Sequence, residues 1–528
     1  MLMRTTAALI SSLIFVVPVS AQPAGDCLLT VILEGGSVYD GRGSEPQVAD
    51  VGLLGDRIEA IGDLSHCAAG RRLDATGLAV VPGFVDIHSH GTRGVFDVPL
   101  AENLTRQGVT TAIGGPDGSS PYPIGEYLAR LDATPSAVNF GLMVGHGTIR
   151  REVLGNVDRA PSTRELEAMS DMVADAMAEG AFGLSSGLKY PPGTYADTDE
   201  VIALARVAGE AGGIYISHMR EEGLAVLDAV RETIRIGEEG GLPTQITHHK
   251  VLGAPMWGRS VDTLALIDEA LARGVDVSLD QYPYTASSTG ISILFPAWSL
   301  AGTREDLLAR LDDPDARRRI RDGIVVNLRD DRGGDDPDNV VLARCGWDPS
   351  LNGMSLADVL TVQDREVSLT TAAELTMELQ TEGGCSGIFH AMQEEDVRRI
   401  MQHPQTMIAS DGGILAPGEG VPHPRNYGAF ARVLGHYSRD EGVLGLPEAI
   451  RKMTSLPATR LDLVDRGVLE AGAYADVAVL DLDAVEAPAT FKEPHQYSTG
   501  AVHVFVNGVA VILDGETTGT RPGRALRH

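Results

Sequence analysis

Between Val80 and Gly412 the chain alternates short apolar runs with longer helical ones, eight times over. The short runs are "VVPGFVDIHSH", "TTAIGG", "NFGLMVGHG", "AFGLSSGL", "GIYISHM", "TQITHHK", "DVSLDQYPY" and "TMIASDG"; stretches such as "STRELEAMSDMVADAMAEG" and "DEVIALARVAGEAGG" lie between them. Such alternation predicts parallel βα units, because a parallel strand needs a crossover helix to return to the same edge. Eight units predict an α/β fold of the (β/α)8 TIM-barrel type. A chain of 528 residues exceeds one compact core, and its two ends read differently from the centre. "LLTVILEGGSVYDG" and "VADVGLLGDRIEAIG" near the start, and "YADVAVLDLD" and "AVHVFVNGVAVILDGE" near the end, are short β runs bounded by Gly and Asp turns. The expected organisation is a barrel over 81–462 beside a small β-sandwich built from 22–80 and 463–528. An insertion is expected over about 285–345, before the last barrel strand, where it could act as a lid.

Residues 1–21 read as a secretory signal peptide. Arg4 precedes an apolar stretch from Ala7 to Val19, and Val19-Ser20-Ala21 offers small residues for cleavage before Gln22. The mature protein is then secreted or periplasmic, and no later stretch is apolar and long enough to span a bilayer. In an oxidising compartment the four cysteines are expected as two local disulfides, Cys27–Cys67 and Cys345–Cys385, with four buried free thiols as the alternative. The formal net charge of −30 argues against nucleic acid or an anionic membrane as partner. Oligomeric state is not legible.

The chemistry gathers where the strand-like runs end. His88 and His90 are two apart on one strand and share a face, a spacing that suits a divalent metal but is weak evidence alone. His218 ends the fifth run, His248 and His249 the sixth, and Asp411 the eighth. Barrel enzymes keep their reacting groups at the C-terminal ends of the strands, so four such ends carrying imidazoles or a carboxylate point to a metal site. Lys189 closes the fourth run, in "GLSSGLKYPPGTY", and a lysine at such a position needs a partner. His146 and Tyr190 could line the pocket or merely pack, and Asp280 could support a histidine from behind.

"GFVDIHSH", "SGLKYPPGTYA", "YISHMREEG", "THHKVLG", "SDGG", "HPRNYG" and "KMTSLPATRLDL" with the following "ADVAVLD" closely resemble the amidohydrolase superfamily, and within it the N-acyl-D-amino-acid deacylase (D-aminoacylase) group. The resemblance implies that His88 and His90 bind one metal, and that His218 and His248 bind a second. Asp411 would touch the first metal and act as general base and acid. Arg425 would clamp the substrate carboxylate, with Lys250 and Tyr282 helping. His249 should point away, since neighbouring strand residues face opposite ways. The group carries a bridging cysteine after the second strand; here the stretch is "GGPDG", with Asp117 at that position. Other binuclear members use a CO₂-carboxylated lysine at the end of the fourth strand. The favoured expectation is therefore an N6-carboxylated Lys189 as bridge, with Asp117 as the alternative. A third possibility is a lysine that only reaches solvent or substrate. The implied cofactor is one or two Zn²⁺, other divalent ions being possible.

These readings predict a metal-dependent hydrolase that cleaves the amide bond of N-acyl-D-amino acids. The alternative within the same chemistry is an extracytoplasmic metallo-dipeptidase or carboxypeptidase. A catalytically inactive barrel used as a binding module would have shed ligands, and His88, His90, His218, His248 and Asp411 are all present.

Overall fold

The computed structural model describes residues 27–528; the expected leader, residues 1–21, lies outside them. The eight predicted barrel strands form, at Phe84–Asp86, Val109–Gly114, Asn139–Leu142 continued by Val144–Gly145, Gly183–Gly187, Ile214–His218, Thr244–Ile246, Val277–Gln281 and Thr406–Ile408. Every pairing among them is parallel. The third strand breaks at Met143, so the ladder runs in two stretches that share it. A parallel bridge between Ser89 and Gly412 joins the eighth strand to the first and closes the ring. Nearly every strand residue is buried, which explains the continuous apolar and small-residue runs: helices cover the outer face and side chains fill the inner one. The helices start where the sequence supplies caps. Ser162 and Glu165 form a reciprocal capping box before Thr163–Ala178, and Asp197 caps Thr198–Glu210. Met169, Val173, Ala176 and Met177 then turn one face of the first of these helices inward.

The two β-rich chain ends, expected as a small sandwich, pair in one nine-stranded sheet. Ala79–Pro82 pairs antiparallel with Val477–Leu480, which pairs with Ala501–Val506. Alternation assigns the faces. Val80, Val477, Val479 and Phe505 join a core with Val31, Leu33, Val51 and Ile58, whereas Ala79, Val81, Ala478, Leu480, Val504 and Val506 pack into the cluster shared with the barrel. The boundary at 463–528 needs one correction. The last residues leave this sheet and return to the third barrel strand, where Phe140 N–H donates to the Arg524 carbonyl and Leu526 N–H to that of Phe140.

The insertion is larger than expected. It runs from Ser287 to Phe389, not 285–345, because Ser287–Gly290 pairs with Ser386–Phe389 and so closes the segment on itself. Val340–Arg344 adds a third strand against Ser386–Phe389, and helices Arg304–Asp312, Pro314–Asn327, Leu356–Val362 and Leu369–Glu382 pack with this sheet around a core of their own. The long-range strand pairing assigns the stretch after Cys345 to the insertion. Both expected disulfides are formed, Cys27–Cys67 in the terminal sheet and Cys345–Cys385 within the insertion. Among the described residues no helix is long and apolar enough to cross a membrane.

Candidate metal centre

A cavity of about 910 Å³ opens at the C-terminal ends of the strands, roofed on one side by the insertion. His90, Asp117, His218, His248, Lys250, Asp411 and Arg425 line it. At its floor two groups of potential ligand atoms share a residue. His88, His90, Asp117 and Asp411 form one, and Asp117, His218 and His248 the other. One Asp117 oxygen lies 3.6 Å from His88 Nε2 and 3.4 Å from His248 Nε2. Its other oxygen lies 3.5 Å from His90 Nε2 and 3.7 Å from His218 Nδ1. Asp411 Oδ1 stands 3.1 Å from His90 Nε2 and 3.5 Å from His88 Nε2.

Apart from the 3.1 Å hydrogen bond between His90 and Asp411, these distances are too long for good hydrogen bonds, and both ring nitrogens of His88 and His218 and Nε2 of His248 are buried without a hydrogen-bond partner. Buried polar atoms are rarely left unpaired. Imidazoles and carboxylates converging on two points fit a pair of divalent cations of the zinc type. The geometry shows how each imidazole is held to present one nitrogen inward. His88 Nδ1 is backed by Asp280 at 3.3 Å and His218 Nε2 by Glu222 at 3.6 Å, while His248 Nδ1 meets Lys250 Nζ at 2.8 Å with Glu222 beside it at 3.2 Å. Carboxylates behind metal-binding histidines set tautomer and orientation. Asp280 thus takes the supporting position proposed for it, accepting also from the His248 backbone N–H at 2.7 Å. Glu222 escaped notice in the sequence. Its signal was the second acid of "REEG", four residues after His218.

Electrostatics follow from the burial. Burial disfavours charge on His88, but the carboxylates of Asp280, Asp117 and Asp411 outweigh it and hold the imidazole well above its usual range. For His218 burial wins, and its pKa falls to about 4. Asp117 and Asp411 are both held below the ordinary carboxylate range despite burial, Asp117 first by His248 and His88, Asp411 first by Arg425. Both are therefore anions at neutral pH.

The structure does not bring Lys189 to either ligand group. Its Nζ donates to Glu221 at 2.8 Å and to Asp331 at 3.3 Å, neither of them in the ligand groups, and Lys189 does not line the cavity. Burial disfavours its charge, but those two carboxylates hold the pKa above its usual value, so it remains an ammonium; carboxylation needs the neutral amine. Asp117, the alternative, occupies the shared corner. Gly187 makes room for it: a Cβ there would stand 2.2 Å from the Asp117 carbonyl oxygen.

The remaining expectations divide. Arg425 lines the cavity, with Nη1 donating to Asp411 Oδ2 at 2.6 Å and Nη2 to the Ser288 carbonyl at 3.3 Å. Lys250 lines it too, bound to Glu222 at 2.6 Å. Tyr282 stands one layer back, its ring 4.7 Å from the Arg425 guanidinium and its hydroxyl on Met392 Sδ. His249 points away, onto Thr263 Oγ1 at 2.8 Å. His146 is structural, paired at 2.8 Å with Glu200, which also holds Arg150. Tyr190 lines the cavity with its ring 4.5 Å from that of His218.

The sequence profile of the amidohydrolase family matches residues 71–320 and 342–512. The chain belongs to the amidohydrolase family. It is 38% identical over 519 residues to a D-aminoacylase of Alcaligenes xylosoxydans xylosoxydans, covering 94% of this chain and 97% of that one. It is 39% identical over 525 residues to an N-acyl-D-glutamate deacylase of the same organism, covering 95% and 97%. The fold superposes with a TM-score of 0.81 on the crystal structure of an N-acyl-D-glutamate deacylase from Bordetella bronchiseptica, complexed with zinc and a phosphonate inhibitor. That enzyme is 35% identical to this chain, and the match covers 95% of this chain and 100% of the enzyme.

Proposed function

We propose that this amidohydrolase cleaves the amide bond of N-acyl-D-amino acids at a divalent metal centre held by His88, His90, His218, His248, Asp411 and a bridging Asp117, with zinc as the working ion. The observation that carries this reading is the pair of ligand groups joined at Asp117, with Arg425 and Lys250 presenting cations to the same cavity. When bound there, a divalent cation lowers the pKa of a coordinated water and polarises the substrate carbonyl.

The chain's own groups supply the rest. Arg425 and Lys250 receive the carboxylate of the amino acid, the guanidinium offering a two-pronged contact. Asp411, an anion fixed by Arg425, takes a proton from the attacking water as the new C–O bond forms. It returns that proton to the nitrogen as the C–N bond breaks, so free acid and free D-amino acid leave together. Preference for the D series rests on the relatives' activity, and export of the mature chain on the leader-like residues 1–21 and two formed disulfides.

Zinc-loaded protein should release amino acid from N-acetyl-D-amino acids and not from the L series or from L,L-dipeptides. Release from dipeptides alone would move the substrate to the peptidase reading, and release from none would remove the proposal. Replacing Arg425 by Ala should lower kcat/KM on the preferred substrate by about 10- to 100-fold, the range lost with a charged hydrogen bond. A rate unchanged within twofold would reassign that arginine.

A further inference from the structure

The insertion does more than roof the cavity. Its segment Leu328–Arg332 winds as a π-helix, and there Asp331 and Arg332 both turn into the protein. Such wide turns recur at functional sites because they re-aim side chains that a regular helix would send outward. Gly253, in the loop after the sixth barrel strand, seats the segment: a Cβ there would lie 2.2 Å from the Asp330 carbonyl.

Arg332 is fully buried, and its contacts are few. Nη2 reaches Glu222 at 3.5 Å, Nη1 the Ser287 hydroxyl at 3.3 Å, and Nε lies 3.3 Å from Asp331. Glu222 is itself wholly buried and is the carboxylate that backs both His218 and His248. Its two oxygens are held by different cations: Lys250 takes Oε1 and Arg332 takes Oε2. Lys189, displaced from the metal centre by the geometry, ties Asp331 to the barrel.

We propose that Arg332, delivered by the insertion, is a positioning residue for the metal centre: it fixes Glu222 so that His218 and His248 present their inner nitrogens together, and the Lys189–Asp331 pair fixes the segment that bears it. Without Arg332 the contact left to Oε2 among the described residues is His218, at 3.6 Å. Glu222 is then free to swing toward Lys250, and a buried negative charge loses one of its two cations. The His218 ring loses its orienting partner, and the Asp117–His218–His248 group loses affinity.

The proposal rests on the reading of this site as a metal centre, and metal affinity separates the two. Zinc dissociation constants would be measured by chelator competition on metal-free wild type and on Arg332→Ala, together with kcat and KM on the zinc-loaded proteins. Arg332→Ala is expected to bind the more weakly held zinc about tenfold less tightly, the lower end of what is lost with a supporting partner. Its kcat should fall more than its KM rises, and added guanidinium ion should restore part of both losses. Equal zinc affinity in wild type and variant would overturn the proposal, whereas a wild type that binds no zinc would overturn the metal reading itself. Should Arg332→Ala not fold, Arg332→Lys takes its place. It keeps the charge but loses the fork, and an unchanged zinc affinity there would equally sink the idea.

Discussion

Asp117, His248 and Asp411 have backbone φ of +54°, +35° and +47°, in the left-handed region that side chains other than glycine seldom occupy. Three of the proposed ligands therefore sit in conformations that cost about 1–3 kcal/mol each and persist only where the surroundings impose them. The strand ends are bent so that carboxylates and imidazoles converge. Asp117 is the residue on which both groups depend. Asp117→Ala should lose at least one metal per chain by elemental analysis, while Asp117→Cys, which puts a thiolate at the shared corner, should keep both. Equal metal content in Asp117→Ala and wild type would remove the bridge. Lys189→Met should keep its metal stoichiometry, and wild-type activity should not respond to added bicarbonate; a CO₂-dependent activity would revive the carbamate.

The same residues show what the sequence could convey. His88, His90, His218, His248 and Asp411 were legible because each ends a strand-like run, and strand ends meet in a barrel. Whether Lys189 or Asp117 bridges was not legible. Both lie at the rim, and the choice depends on Glu221 and Asp331, which claim the ammonium from 32 and 142 residues away. Arg332 was missed for the same reason, since its partners Glu222 and Ser287 lie on other elements; Glu222 stood four residues after His218, but its ties to His248 and Lys250 join it to another strand end.

Among the elements, the helix Leu446–Met453 carries a buried lysine with a different consequence. Lys452 donates to the carbonyls of His403 and Thr406 just before and at the eighth strand, and burial lowers its pKa from 10.5 to about 8. The unfolded chain keeps the ordinary value, so between about pH 8 and 10.5 it holds the proton more tightly than the folded chain does. Stability contributed at this site therefore rises with pH across that window, by up to about 3 kcal/mol. Urea midpoints of wild type minus Lys452→Met, followed from pH 7.5 to 10, should shift in favour of wild type. Parallel curves would show that the lysine is not depressed. The insertion was legible as a segment between the last two barrel strands, but its extent is set by strand pairing across about 100 residues.

Taken as a molecule, the described residues join three large cores, with smaller clusters between them. One lies in the terminal sheet, one in the insertion, and the barrel cluster connects with the first through alternate residues of Val477–Leu480. The sheet and the insertion each hold one disulfide, closing loops of 40 residues, and each should contribute about 2–4 kcal/mol. Reduction should lower the melting temperature, and Cys345→Ser with Cys385→Ser should lower it without loss of the terminal sheet. The barrel itself was legible because eight local segments each announced a strand, whereas the return of residues 523–526 to the third strand depends on contacts nearly 400 residues apart.

Amide hydrolysis by this chain depends on a metal centre built from these strand ends. The most direct test is the rate of release of D-amino acid from an N-acetyl-D-amino acid after exhaustive chelation, followed as zinc is returned in fractions of an equivalent. The prediction is that activity disappears on chelation and returns in proportion to added zinc, reaching its maximum at one to two ions per chain. Hydrolysis that persists in protein shown by elemental analysis to be free of metal would contradict it.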